Sequence, residues 1–354
     1  MSQNNNNKPE QWGFTLTNVK FCSGDTEISR PFISSIDAPR SLSHDAIKFT
    51  WANREWTLIN TPDETVNSTK KGGLFETSCL VTPFVEGDTL GNMEYEIDII
   101  TLLLSFALGR DIQCSILCLV SGDTGHERRG HVRAFNDVGP KIVDNYIAGN
   151  IKNFLESSEA TVKSEYDWHR FTIALHVEGG VSKTLDIKWY IYNILIDRIV
   201  KKICNHLPPC NQERQDAKNI VDSPAFQYQL NNLFQLFPPT CKGYFKSIML
   251  NGIRDSITLN KSFVERVKRA CESEKVNTSS LAPYLKNRDG LLHTGELENI
   301  LTDVEKIQYW INLQNTTTLL ILRLLNFDGE IHLENSPLQE YPYTHFPLAS
   351  ILLP

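Results

Sequence analysis

Late in the chain the stretch NRDGLLHTG, residues 287–295, gathers Arg288, Asp289 and His293 within one short span. On a helix Asp289 and His293 are i and i+4 neighbours, on one face and able to share a hydrogen bond. Arg288 lies one position round and flanks the same small volume. An imidazole moves protons near neutral pH, and a carboxylate can orient it. A guanidinium holds a phosphate oxygen and stabilises charge that develops in a transition state. These parts suit cleavage of a phosphodiester, above all in RNA, whose 2′-hydroxyl brings its own nucleophile. The plain alternative is a helix C-terminus, where cations complement the dipole, and on spacing alone that is the commoner explanation. Gly290 weakens a helix here by about 1 kcal/mol. It either loosens the geometry or lets the backbone approach a polynucleotide closely.

Two further stretches offer positive charge. GDTGHERRGHVR, residues 122–133, sets Arg128 and Arg129 between His126 and His131. It reads as a basic loop between strands, touching a nucleic acid or an acidic partner, or as a solvated hairpin loop with glycine turns. KSFVERVKRACESEK carries Arg266, Lys268 and Arg269 on a helix opened by the capping box Ser262–Glu265. It is either a local positive field beside the 288–293 span or an ordinary charged outer face. Cys204, His206, Cys210 and Cys241 raise zinc, but the spacing of CNHLPPC departs from the usual short Cys–Cys interval. Buried free thiols are the expectation, with no metal and no cofactor. The chain has no GxxxxGK[ST] loop, GxSxG elbow or HExxH motif.

The elements that must position these residues fall into two textures. Ile47, Phe49 and Trp51 alternate with Lys48 and Thr50, the period of a half-buried strand, and residues 171–178 alternate in the same way. FTLTNV, EWTLIN and CSILCLVSG add strands, with Cys114 and Cys118 on one core face, while MEYEIDIITLLLSFALG and KIVDNYIAGNIKNFLES read as helices. Beyond the GGVSK turn, Tyr192, Leu195, Ile196, Ile199, Val200 and Ile203 follow helical spacing. A second helix follows, interrupted at Pro224, then shorter ones, and a long helix starting near Leu297 runs towards Phe327. The fold class is therefore α+β, organised as a tail (1–12), a β-rich domain (13–183), a helical bundle (184–327) and a strand with an extended tail (328–354).

At 354 residues, 41% hydrophobic and 22% charged, the chain reads as a soluble, two-domain globular protein. The apolar run Ile97–Leu108 contains Asp98 and is too short to span a bilayer, so it reads as a buried helix. Eight scattered cysteines and a polar N-terminus predict a reducing, cytoplasmic setting without a membrane. A net charge of −7 excludes bulk electrostatic coating of nucleic acid but leaves room for a local basic cleft.

The span Arg288-Asp289-x3-His293, inside YLKNRDGLLHTGEL and ahead of a long apolar helix, resembles the R-x(4–6)-H signature of the HEPN superfamily. The arrangement looks like its ApeA-like branch, in which a β-rich region precedes the helical domain. LLLSFALGRDIQ, residues 102–113, is similar in flavour to that region. The resemblance covers residues 184–327 and the first half only loosely. It implies a metal-independent endoribonuclease, a toxin or antiphage effector, whose two protomers join two motifs in one composite site. His293 would be the general acid/base, Arg288 the phosphate-binding cation and Asp289 the residue that orients them. The N-terminal domain would then answer to a phage-derived or regulatory trigger. Some members of the superfamily are silent, so a non-catalytic dimerisation or binding module is the alternative that the resemblance also carries.

Overall fold

The computed structural model describes residues 11–19, 26–28, 43–60, 76–121, 124–129, 141–182, 184–207, 212–235, 243, 246–250, 252–253, 263–279, 281, 285, 302–334 and 343–348. It divides into two compact units. The first joins residues 1–192 to Asp303–Ile351, and the second is essentially Asn193–Thr302.

The first unit is built on an antiparallel sheet of seven strands in the order β2-β3-β4-β5-β1-β6-β7. These are β1 (Gln11–Thr17), β2 (Thr26–Ile28), β3 (Ser43–Trp51), β4 (Arg54–Asn60), β5 (Glu76–Pro83), β6 (Cys114–Ser121) and β7 (Thr124–Arg129). The alternation in β3 does what the sequence predicts: Ile47, Phe49 and Trp51 are buried while Lys48 and Thr50 face solvent. Trp51 pairs with Arg54, and Ala52 and Asn53 between them both take positive φ. That is the two-residue turn whose twist suits a hairpin.

Helix α1 (Leu90–Leu108) starts at Thr89, whose hydroxyl accepts from Asn92 N, and ends at Gly109 in the left-handed region. It is the buried helix expected of Ile97–Leu108. Helix α2 (Asn150–Ser164) docks on the β3–β4 hairpin through carboxylates: Glu156 accepts Thr50 N and Glu159 accepts Ala52 N, each at 2.7 Å. Lys163 bridges Glu96 and Glu159, and Trp51 Nε1 donates to Glu96 at 2.6 Å. Only the second half of KIVDNYIAGNIKNFLES is helical; residues 141–149 form turns and a bridge to β8.

Residues 171–178 are not a strand. They lie within α3 (Tyr166–Val181), where His169, Thr172, Ile173, His176 and Gly180 form the buried face and Phe171 is 51% exposed. The period-2 pattern loses because the burial that counts here is spaced three and four apart, with α1 covering that face.

The last long helix also departs from expectation. Helix α8 (Asp303–Leu324) clusters with the first unit instead of closing a bundle over 184–327. Its residues Leu313, Gln314 and Thr316–Leu322 are buried, and Asn315 holds both backbone groups of Glu334 at the end of β8 (Glu330–Glu334). Periodicity marks which face is apolar but not which partner covers it. β8 pairs with β9 (Tyr343–Pro347), the described part of the expected C-terminal strap.

The second unit is helical among its described residues. Helix α4 (Leu185–His206) enters it from Asn193 onward, followed by α5 (Gln212–Asp222), α6 (Pro224–Phe234) and α7 (Phe263–Ser273). The break at Pro224 is as predicted, with Ser223 capping α6 and the proline in its first turn. No helix among the described residues is long and apolar enough to cross a membrane.

Candidate functional site

Arg288, Asp289 and His293 lie outside the described residues. They belong by position to the helical unit Asn193–Thr302.

Of the basic residues expected beside them, three sit on α7 and differ in their situation. Val267, Ala270 and Cys271 form the buried face of that helix. Arg266 is half-buried and tied down: its Nη2 lies 3.4 Å from Asp197 Oδ1, and its guanidinium is 5.9 Å from the Phe263 ring. Cys204 Sγ, on α4, donates weakly to Arg266 O at 3.6 Å. Lys268 projects into solvent, and Arg269 is half-buried near enough to Cys204 to act on its thiol. Burial raises the Cys204 thiol, partly offset by Arg269 and Arg266, and burial pushes Cys271 up to about 12. Both are inert protonated thiols in the core, as expected of buried cysteine. Of the rest of the zinc proposal, His206 is exposed at the end of α4, and Cys210 and Cys241 lie outside the described residues. Among the described residues no three ligands gather for a metal.

Arg128 and Arg129 are not in a loop. They lie on β7, the edge strand of the sheet, paired with Leu117 and Ile116 of β6. Ser121 and Thr124 pair directly, so the described part of the histidine- and arginine-rich stretch, Thr124–Arg129, is strand.

Two places in the first unit escaped the sequence reading. One is a cavity of about 530 Å³ between α1, the turn after it and α3, lined by Asp98, Leu102, Asp111, Tyr166, Arg170 and Glu178 among others. Burial raises the Asp98 carboxyl above its ordinary range, against the pull of Arg170, and burial likewise raises the Tyr166 hydroxyl. The cavity was hidden because residues 171–178 read as a strand and not as part of the helix that faces α1.

The other is a buried polar cluster where α3, α4 and α8 meet β8. His176 Nε2 lies 2.8 Å from Thr318 Oγ1, and Tyr192 OH donates to His176 O at 3.2 Å. Burial pushes the imidazole down to about 3 and raises the Tyr192 phenol well above its usual value. Lys188 Nζ sits 4.3 Å over the Trp310 ring, its ammonium lowered by burial. Glu334 is pushed up to about 7 by burial, with Lys188 opposing. Gln314 Oε1, Trp310 Nε1 and Glu334 Oε2 are buried without a hydrogen-bond partner. No sequence signal joins these positions, which are brought together from four elements.

The chain matches no protein-family model, no curated protein and no solved structure.

Proposed function

We propose that the protein is a metal-independent endoribonuclease of HEPN type, acting as a homodimer whose two motifs form one composite site. The observation that carries this reading is the Arg288-Asp289-x3-His293 spacing, in a stretch of chain that follows the helices α4 to α7. The exposed Lys268 adds positive charge in the same unit. His293 takes the proton of the RNA 2′-hydroxyl, which attacks phosphorus; the P–O5′ bond breaks, leaving a 2′,3′-cyclic phosphate and a 5′-hydroxyl that receives a proton. Arg288 balances the charge on the phosphoryl oxygens, and Asp289 orients the imidazole. A defence role, with a phage-derived or regulatory trigger acting on the first unit, follows from the same resemblance.

The second reading is a non-catalytic dimerisation or binding module. It is favoured by the placement of α8, which serves the first unit and not the helical one. RNA cleavage in EDTA separates the two. The native protein should cut, and His293→Ala and Arg288→Ala should lose activity by at least about a hundredfold, the usual scale for a positioned acid/base. Equal activity in all three overturns the site. Loss of native activity in EDTA overturns the metal-free mechanism, and absence of cleavage with altered dimerisation in His293→Ala supports the second reading.

A further inference from the structure

The groove between α1 and α3 carries charges of both signs, of which Asp98, Arg170 and Glu178 are exposed to solvent. Asp98 comes from α1, Asp111 from the turn that follows, and Arg170 and Glu178 from α3. Among the described residues, no ion pair within 4 Å engages Asp98, Arg170 or Glu178. Arg170 instead stands 5.9 Å from the Tyr166 ring, and Gln113 Nε2 donates to Asp111. A single exposed charge is solvated at little cost and needs no explanation. Four in one concavity of about 530 Å³ are different: its walls focus the field, and its size is that of a small-molecule site.

The polar groups of the floor are already engaged. Thr101 Oγ1 donates to Ile97 O at 2.8 Å, and Ser105 Oγ donates to Thr101 O at 2.7 Å while accepting Ile112 N at 3.0 Å. Recognition therefore falls to the charges and to an apolar wall that includes Leu102, Ala174 and Val177.

The distribution of charge sets the ligand. Arg170 is the one cation among the described lining residues and can hold one anionic group. Asp98 faces the same groove from α1, so the group that meets Asp98 is a cation beside that anion. Glu178 lies eight residues along α3 from Arg170, about 12 Å along the axis, and calls for a second cation. Among the described lining residues one guanidinium stands against three carboxylates, and that negative balance disfavours a ligand of net negative charge.

We infer that the groove binds a free basic α-amino acid, its carboxylate on Arg170, its ammonium on Asp98, its alkyl stem along Leu102 and Val177, and its side-chain cation at Glu178. This site stands in the first unit and is read independently of RNA cleavage.

Isothermal titration calorimetry on the full-length protein, with L-arginine, agmatine and L-glutamate as probes, tests it. L-arginine should bind. Agmatine lacks the carboxylate and should bind about tenfold more weakly, the loss of one charge-assisted contact. In Arg170→Gln, L-arginine should fall to the level of agmatine. Glu178→Gln should weaken both by about tenfold, and L-glutamate should not bind. All the altered side chains line an open groove, and circular dichroism checks that the variants stay folded. Agmatine matching L-arginine on the native protein overturns the assignment. So does unchanged L-arginine binding in Glu178→Gln, and so does the absence of heat at millimolar L-arginine.

Discussion

His176 and Thr318 are 142 residues apart in the chain, yet His176 Nε2 lies 2.8 Å from Thr318 Oγ1 in the core of the first unit. The His176 ring also meets Phe106 of α1 and Tyr192 of α4, with centroids 5.0 and 5.3 Å apart. One side chain thus joins α1, α3, α4 and α8, and it ties the last long helix to the first unit.

That contact fixes a pH dependence. The unfolded imidazole takes a proton near pH 6.5, whereas the buried one resists until about 3. Between those values the unfolded state binds more protons, so stability is full above about pH 6.5 and falls as the pH drops towards 3. The slope from this group approaches about 1.4 kcal/mol per pH unit. His176→Gln keeps a neutral partner for Thr318 and removes the titration. Urea unfolding from pH 6.5 down to pH 3 should show the variant gaining stability relative to the native protein as the pH falls, and an unchanged slope would assign the effect elsewhere.

Glu334 acts with the opposite sign. Its carboxyl is pushed up to about 7 by burial, from an unfolded value near 4.5. The folded state holds the extra proton between these values, so stability from this group is present below about pH 4.5 and is lost as the pH rises to 7. Glu334→Gln should therefore stabilise the protein at pH 8, by roughly 2 kcal/mol, and should change little at pH 4. The same urea series, extended to pH 8, measures it. In the overlap, from about pH 4.5 to 6.5, the two groups offset one another and the native protein should show a plateau.

Local elements were legible where one residue pattern decides them. The β3 alternation, the Pro224 break and the apolar run of α1 each reflect a rule that acts within a few residues. What failed was partner choice. The 171–178 stretch carries both a period-2 and a helical pattern, and only the presence of α1 against Ile173 and His176 selects the helix. The cavity joins α1 to α3, and the Glu334 cluster brings His176 to Thr318, 142 residues on, both beyond any local signal. The Arg288–His293 spacing was visible at once, but spacing says nothing of whether a second copy faces it.

Gly329 gives a test of packing at the β8 junction. A Cβ there would collide with Asn150 Oδ1 and with the Phe327 ring. Asn150 is not free to move: its Oδ1 accepts Glu330 N at 3.1 Å, and its Nδ2 donates to Glu330 O at 2.7 Å and Asp144 O at 3.0 Å. Gly329→Ala should cost roughly 2 kcal/mol, the scale of overpacking in a closed site. Thermal unfolding reads it directly, and an unchanged midpoint would mean that the junction yields.

Arg266 and Lys268 should separate structure from RNA contact. Arg266 is held by Asp197 at 3.4 Å and packs its guanidinium by Phe263, so Arg266→Ala should lower stability by roughly 1 kcal/mol. Lys268 is exposed, so Lys268→Ala should leave stability within about 0.5 kcal/mol. If the helical unit binds single-stranded RNA, losing one phosphate contact should reduce the slope of log K against log salt by about 0.7. Fluorescence anisotropy over a salt series measures this on a catalytically silenced His293→Ala background. A slope that changes with Arg266→Ala and not with Lys268→Ala would reverse the roles, and no change with either would place RNA on another face.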